Sequence, residues 1–215
     1  MRDDAWKAQA NVAMENYARG AGPDAFLVVF RALQPRIRAF LARRCEPELA
    51  KELTQDTFVA IHKHRSSFQC GTDVMTWAFT IARRLLIDEA RRNKHRKGYR
   101  QSLTDAAMLL QKARPFGPEP GAPERPDVVA SRLQLGRRIT EVLASLPEEQ
   151  RETFELVYVD GLPIPRAAQV LDIRAENVSL RVHRACKELR EQLGGGMTVI
   201  LPRMAKCNLG RPSRP

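Results

Sequence analysis

Between Arg114 and Asp127 the chain carries five prolines and two glycines. Proline lacks the N–H that helices and sheet ladders use, and it drives the residue before it out of the helical region. No regular element can cross such a stretch, so it reads as an extended, solvated connector. The 215 residues then divide into two small domains, which their number permits. The boundaries read as 1–100 for the first domain, 101–132 for a flexible Pro-rich linker, 133–193 for the second domain and 194–215 for a flexible basic tail. Both flanks of the connector show helical periodicity, which makes the fold class all-α.

A formal net charge of +11 asks for a polyanionic partner. Nucleic acid is the default, with an acidic protein or an anionic membrane as rivals. No apolar run approaches the roughly 20 residues needed to span a bilayer. Met1-Arg2-Asp3-Asp4 do not lead into a signal-peptide core, so a cytoplasmic protein is expected. Cys45, Cys70, Cys186 and Cys207 form no C-x-x-C pair, which indicates neither a disulfide framework nor a zinc ribbon. His183 and Cys186 stand three apart, but a metal would need two further ligands.

In the second unit, Pro147 suits a first helical position and Glu148 and Glu149 sit against the positive end of the helix dipole. That helix should run through Phe154, Val157 and Tyr158 and close at Asp160-Gly161, where glycine can turn left-handed. A helix from Leu133 to Leu146 is expected before it. A short helix near Pro165 to Leu171 and a longer one from Ala175 to Leu193 follow, separated by residues around Asp172. In the long helix Val178, Val182, Ala185 and Leu189 make one narrow apolar stripe. The opposite face presents Glu176, Leu180, His183, Arg184 and Lys187, flanked by Asn177, Arg181 and Arg190, with Arg174 just ahead of the helix. Arg and Lys suit guanine edges and phosphates and Asn suits adenine, so this helix could read a major groove. A solvated amphipathic helix fits the same pattern equally well.

In the first unit, Phe26, Val29, Phe30, Leu33, Ile37, Phe40 and Leu41 mark the core side of a helix over 24–44, with a kink or a fresh start at Pro35. A second helix, Leu49 to His62, turns Leu49, Leu53 and Phe58 or Ile61 inward. Its outward face, Lys51, Glu52, Gln55, Asp56 and Lys63, suits plain solvation or protein docking. A third helix, Val74 to Arg92, gathers Trp77, Ala78, Ile81, Ala82, Leu85 and Leu86 on an apolar half. Thr80, Arg84, Ile87 and Arg91 lie opposite, with Arg83 at the edge. From Arg83 to Arg100 there are eight Lys or Arg against two acids, a patch suited to salt-sensitive phosphate binding. The loop before it, Ser66 to Asp73, is polar and small enough to hold an extruded base by stacking and edge hydrogen bonds.

Two sets of motifs carry a resemblance. Leu146-Pro147-Glu148-Glu149-Gln150-Arg151, Asp160-Gly161-Leu162 and Val178-Ser179-Leu180-Arg181-Val182-His183-Arg184-Ala185 resemble region 4 of bacterial sigma-70 family sigma factors, in particular the extracytoplasmic-function (ECF) group. Glu52-Leu53-Thr54-Gln55-Asp56-Thr57-Phe58 is similar to region 2.2 of that group, and the run from Trp77 to Arg92 to regions 2.3 and 2.4. The resemblance implies an RNA polymerase sigma factor that recognises promoters and melts DNA in transcription initiation. Its partners would be core RNA polymerase, through the beta-prime and beta subunits, promoter DNA and an anti-sigma factor. Leu53, Gln55, Asp56 and Phe58 would belong to the polymerase-docking helix. Phe68, Gln69, Thr72, Asp73, Thr80, Arg83, Arg84 and Arg91 would serve the -10 element. Arg174, Glu176, Asn177, Leu180, Arg181, His183, Arg184 and Lys187 would serve the -35 element. The chain departs from the family pattern at Pro163 and Pro165, at Arg84, Asn177 and Cys186, and at Asp172, which stands at a turn position where glycine is usual and tolerates the left-handed region better than most residues, at some cost.

No carboxylate cluster, Gly-rich phosphate loop or nucleophile–base pairing recurs at chemical spacing. The chain therefore reads as a non-enzyme without cofactor or metal. The rival is a stand-alone helix-turn-helix regulator that binds duplex DNA without polymerase, which would leave the Trp77 to Arg92 cation face unused. The tail beyond Gly194-Gly195-Gly196 could be disordered, or could dock its apolar stretch Met197 to Leu201 on a domain or a regulator.

Overall fold

The computed structural model describes residues 5–94 and 138–193, and every regular element in them is helical. The linker, the start of the expected 133–146 helix and the 194–215 tail lie outside the described residues, as does most of the cation run beyond Arg92.

The first bundle holds α1 (Ala5–Ala18), α2 (Pro23–Ala42), α3 (Pro47–Lys63), a single 3-10 turn (Arg65–Ser67) and α4 (Val74–Lys94). Proline opens α2 and α3, and Asp24 and Glu48 in their first turns complement the positive helix ends. α2 does not break at Pro35. Both Pro35 and Arg31, whose carbonyl would have accepted the missing N–H, lie on the exposed side, where water can replace the lost bond. The expected inward residues Val29, Leu33, Ile37, Phe40 and Leu41 are buried, whereas Phe26 is half-buried and Phe30 exposed.

α1 has no counterpart in the sequence-based expectations. Ala10, Ala13, Met14 and Tyr17 point inward at i, i+3, i+4 and i+7, yet alanine gives that stripe little hydrophobic contrast. The core side of α4 is also rotated from expectation. It centres on Met75, Ala78, Phe79 and Ala82, while Trp77, Ile81 and Leu85 are half-buried. Phe79 draws the helix round by stacking on Phe40 of α2, with ring centroids 4.9 Å apart.

The second bundle holds α5 (138–145), α6 (Glu148–Phe154), α7 (Ile164–Leu171) and α8 (Ala175–Leu193). α6 runs into a π turn over Glu155–Val159, and Gly161, at φ 75°, closes it as the sequence suggested. The Leu162 N–H donates back to the Leu156 carbonyl at 2.9 Å. Pro163 is extended and its carbonyl accepts from Arg166 and Ala167, so α7 starts with Pro165 in its first turn. Asp172 takes the left-handed conformation that its position demands, φ 56° and ψ 46°. It turns the chain from α7 into α8, whose stripe of Val178, Val182, Ala185 and Leu189 is buried together with Cys186.

The bundles pack together through α4 against α7, and through a group of ion pairs between the end of α2 and the π turn. Among the described residues no helix is long and apolar enough to cross a membrane.

Candidate nucleic-acid interface

α8 is held by one stripe, so its other side is free to face a ligand. Glu176, Asn177, Leu180, His183, Arg184 and Lys187 are all exposed there, and Leu180 keeps 47% of its surface, an unusual fraction for a leucine. Arg174 is exposed at the head of the helix, and its carbonyl accepts the Asn177 and Val178 amides. Arg181 differs from the rest: its Nη2 lies 2.6 Å from Glu149 Oε2 on α6. The structure therefore brings the expected set to one face, with Arg181 tethered at its edge.

The loop ahead of α4 is built differently. Phe68 is buried and meets Trp77 edge-on at 5.2 Å, anchoring the loop to the bundle. Gln69 and Thr72 span a turn closed by the Thr72 N–H on the Gln69 carbonyl, 3.1 Å, which places Gly71 at φ 82°. Asp73 is a helix cap: its Oδ2 accepts the Thr76 N–H at 3.0 Å and the Thr76 hydroxyl at 2.6 Å. Gln69 is thus exposed and Thr72 half-exposed, while the Phe68 ring and the Asp73 carboxylate are occupied by the fold. Along α4, Arg84 and Arg91 are exposed, and Thr80 is half-buried with its hydroxyl donating to the Thr76 carbonyl at 2.9 Å.

Arg83 is engaged across the bundles. Its Nε donates to Glu152 Oε1 at 2.9 Å and its Nη2 to Glu152 Oε2 at 3.3 Å, a two-pronged contact with α6. Deeper in the same seam Arg43 Nη2 meets both Asp160 oxygens at 2.6 and 2.7 Å, and Arg44 Nη2 lies 2.8 Å from Glu155 Oε2. The Arg43 side chain is only 5% exposed. Burial works against its charge, but Asp160 and Glu155 outweigh that, so the guanidinium is held above its ordinary range. Sequence reasoning singled out none of Arg43, Arg44, Glu152 and Glu155, and Asp160 only as part of a helix stop. Their signal is weak, because each is an ordinary charge in its own segment and only the packing of two bundles pairs them. Next to this seam, burial pushes the Cys45 thiol up to about 11, against the pull of Arg44, so it stays neutral.

On α3, Gln55 and Asp56 are exposed, while Leu53 and Phe58 are buried and hold the helix in place. Val59, one turn further on, is 49% exposed, and Leu27 and Phe30 on α2 are exposed too. The inward set expected for α3 already left Val59 outside, a hint that the sequence held and that the charged positions obscured.

Residues 29–96 match the model of sigma-70 region 2, and residues 129–189 match that of sigma-70 region 4. The chain is 31% identical over 182 residues to the RNA polymerase sigma factor CarQ of Myxococcus xanthus, spanning 84% of this chain and 95% of that protein. It is 32% identical over 160 residues to the ECF RNA polymerase sigma factor SigF of Caulobacter vibrioides, 74% of this chain and 79% of that one. Among solved structures, the fold is similar to CnrH in complex with the cytosolic domain of CnrY, with TM-score 0.59, 21% identity, and 86% of this chain and 97% of that chain covered. It is also similar to the sigma factor RpoE in complex with the anti-sigma factor NepR from Bartonella quintana, with TM-score 0.56, 22% identity, and coverage of 81% and 99%. The two matched blocks fall in order on the two bundles, and the chain belongs to the sigma-70 family as an ECF RNA polymerase sigma factor.

Proposed function

We propose a division of labour within this sigma factor, which acts in the cytoplasm on promoter DNA and is not itself an enzyme. α3 docks on core RNA polymerase through Gln55 and Asp56, with Val59 beside them. The loop at Gln69 and Thr72 receives an unpaired base of the -10 element. Thr80, Arg84 and Arg91 of α4, and Arg83 once released from Glu152, follow the -10 strand and its backbone. α8 lies in the major groove of the -35 element with Asn177, Arg184 and Lys187 toward it. The observation that carries this is the face of α8: one buried stripe, and an exposed row of amide, imidazole and cationic groups at the spacing a groove-reading helix needs.

Of the two solved neighbours, CnrH is bound to the cytosolic domain of CnrY and RpoE to the anti-sigma factor NepR. We extend that to a protein partner of the same class here, which holds the two bundles together. In that arrangement Arg83 is paired with Glu152, so loading onto polymerase has to part the seam before α4 can present its full set of cations.

The test is co-elution of the purified chain with bacterial core polymerase, with and without a competing housekeeping sigma factor, followed by run-off transcription. Displaceable co-elution supports the reading. Failure of the folded chain to bind polymerase, with tight duplex binding on its own, would return it to the stand-alone regulator.

A further inference from the structure

The loop that presents Gln69 and Thr72 has little core of its own. Phe68 anchors one end and the Asp73 cap the other, and between them the chain makes a tight turn whose Gly71 faces open space. What fixes this turn to the body is α1. Glu15 Oε1 accepts the Gly71 N–H at 2.9 Å, Asn11 Oδ1 accepts the Val74 N–H at 2.8 Å, and Arg19 Nη2 donates to Cys70 Sγ at 3.2 Å. These three residues stand at i, i+4 and i+8, so one polar edge of α1, continued by Arg19 in the turn that follows it, runs along the loop from Cys70 to Val74. The opposite edge of α1, Ala10, Ala13, Met14 and Tyr17, is buried against the bundle, which leaves the helix little freedom to roll. The Glu15 contact involves a charged acceptor and a backbone donor, the stronger kind of hydrogen bond.

We infer that α1 is the frame of the base-receiving loop, and that Glu15 and Asn11 are positioning residues whose contacts set which -10 base is preferred. This rests on the reading of the Gln69–Thr72 loop given above. Neither residue touches DNA in this scheme. Each holds a backbone N–H, and through it the height and tilt at which Gln69 and Thr72 are offered. Three contacts come from one helix and the turn that ends it, which no motif marked, and they converge on the loop from Cys70 to Val74.

The experiment uses holoenzyme assembled from the full chain and core polymerase, transcribing a pool of templates randomised at the -10 and -35 elements. Glu15→Ala and Asn11→Ala should each flatten the -10 base preference, lowering the advantage of the favoured base about fivefold, with -35 preference and polymerase affinity unchanged. Glu15→Gln keeps an acceptor and should retain the preference, while raising binding evenly across the pool because a negative charge near phosphate is removed. Amide exchange at Gly71 should quicken in Glu15→Ala and stay slow in Glu15→Gln. Gln69→Ala and Thr72→Ala serve as the control on the loop. If these two alter the -10 preference and the α1 variants do not, the frame is wrong while the loop reading stands. If none of the four alters it, the loop reading fails and the frame falls with it. Equal loss at every promoter together with a lowered melting temperature would reduce α1 to a structural helix and overturn the proposal, as would unchanged exchange at Gly71.

Discussion

α4 and α8 each turn a cationic face outward, and their sequences advertise the same surface. Their surroundings differ. On α8 the cations that face outward meet only neighbours such as Glu191, 3.7 Å from Lys187, and one tether at Arg181. On α4 the cation nearest the body, Arg83, is held by a carboxylate from the other bundle, while Arg84, Arg91 and Arg92 are exposed. Periodicity specifies which side of a helix turns away from its own core. It does not specify whether another domain comes to rest there. Under the proposed function, one helix would meet DNA as it stands, and the other would first have to be uncovered.

The sharpest way to break the comparison is to remove what covers α4. Arg43→Ala strands Asp160 in the seam between the bundles, while Glu155 keeps Arg44, and loss of one partner of a buried ion pair costs about 3–5 kcal/mol. Calorimetry should resolve the single transition into two, and small-angle scattering should show a larger radius of gyration. Base should not imitate this variant. The folded Arg43 is held above its ordinary range, so its contribution is complete below that range and is lost only as pH rises beyond it. Docking is therefore expected to be undiminished on going from neutral to mildly alkaline buffer. An unchanged scattering profile in Arg43→Ala would mean that α4 against α7, and not the ion pairs, holds the domains.

A smaller effect should follow from Glu152→Gln, which frees Arg83 without stranding a buried charge. Its pair with Arg83 is partly exposed, 23% and 17% for the two side chains, so screening leaves it worth only about 1 kcal/mol. That corresponds to roughly a fivefold gain in affinity of the free chain for a single-stranded -10 oligonucleotide. No gain would show that Arg83 is not part of that surface.

Smaller again are the exposed cations. Arg84→Ala and Arg91→Ala should each lower the salt dependence of open-complex formation by a slope of about 1, with polymerase affinity kept. Gln55→Ala with Asp56→Ala should do the reverse, weakening polymerase binding alone. Lys187→Ala should weaken closed-complex recruitment and leave melting intact. If these variants lost every activity together, the positions would belong to the fold and the contrast between the two helices would vanish.

Much of this contrast was written in the sequence, and the part that was not has a common cause. The stripe of α8, the glycine stop at Gly161 and the left-handed Asp172 are local properties, so local rules reach them. The rotation of α4 toward Phe79 is set by Phe40 on a different helix. The seam depends on six charges that meet only when two bundles dock. α1 was overlooked because alanine marks a helix interior without marking which side is inside. The assignments of Phe68 and Asp73 followed motif position, whereas burial and capping give both residues work inside the fold.

The finest test acts on α8 alone. Asp172 is the one residue other than glycine with positive φ among those described, and it sets the angle at which α8 leaves α7. A non-glycine residue there costs of order 1–3 kcal/mol, less for aspartate than for most. Asp172→Gly removes that strain but adds freedom to the unfolded chain, which returns part of the gain. The net should be a stabilisation of about 0.5 kcal/mol, or a rise of some 2–4 °C for a domain of this size. It should appear only in the second-bundle transition, read most cleanly in the Arg43→Ala background where the two transitions separate. Asp172→Ala keeps the strain and loses aspartate's tolerance of it, so it should move the same transition the other way. A shift of both transitions together would show that the turn into α8 is coupled to the first bundle. In that case the two cationic helices would be presented as one surface and not as two.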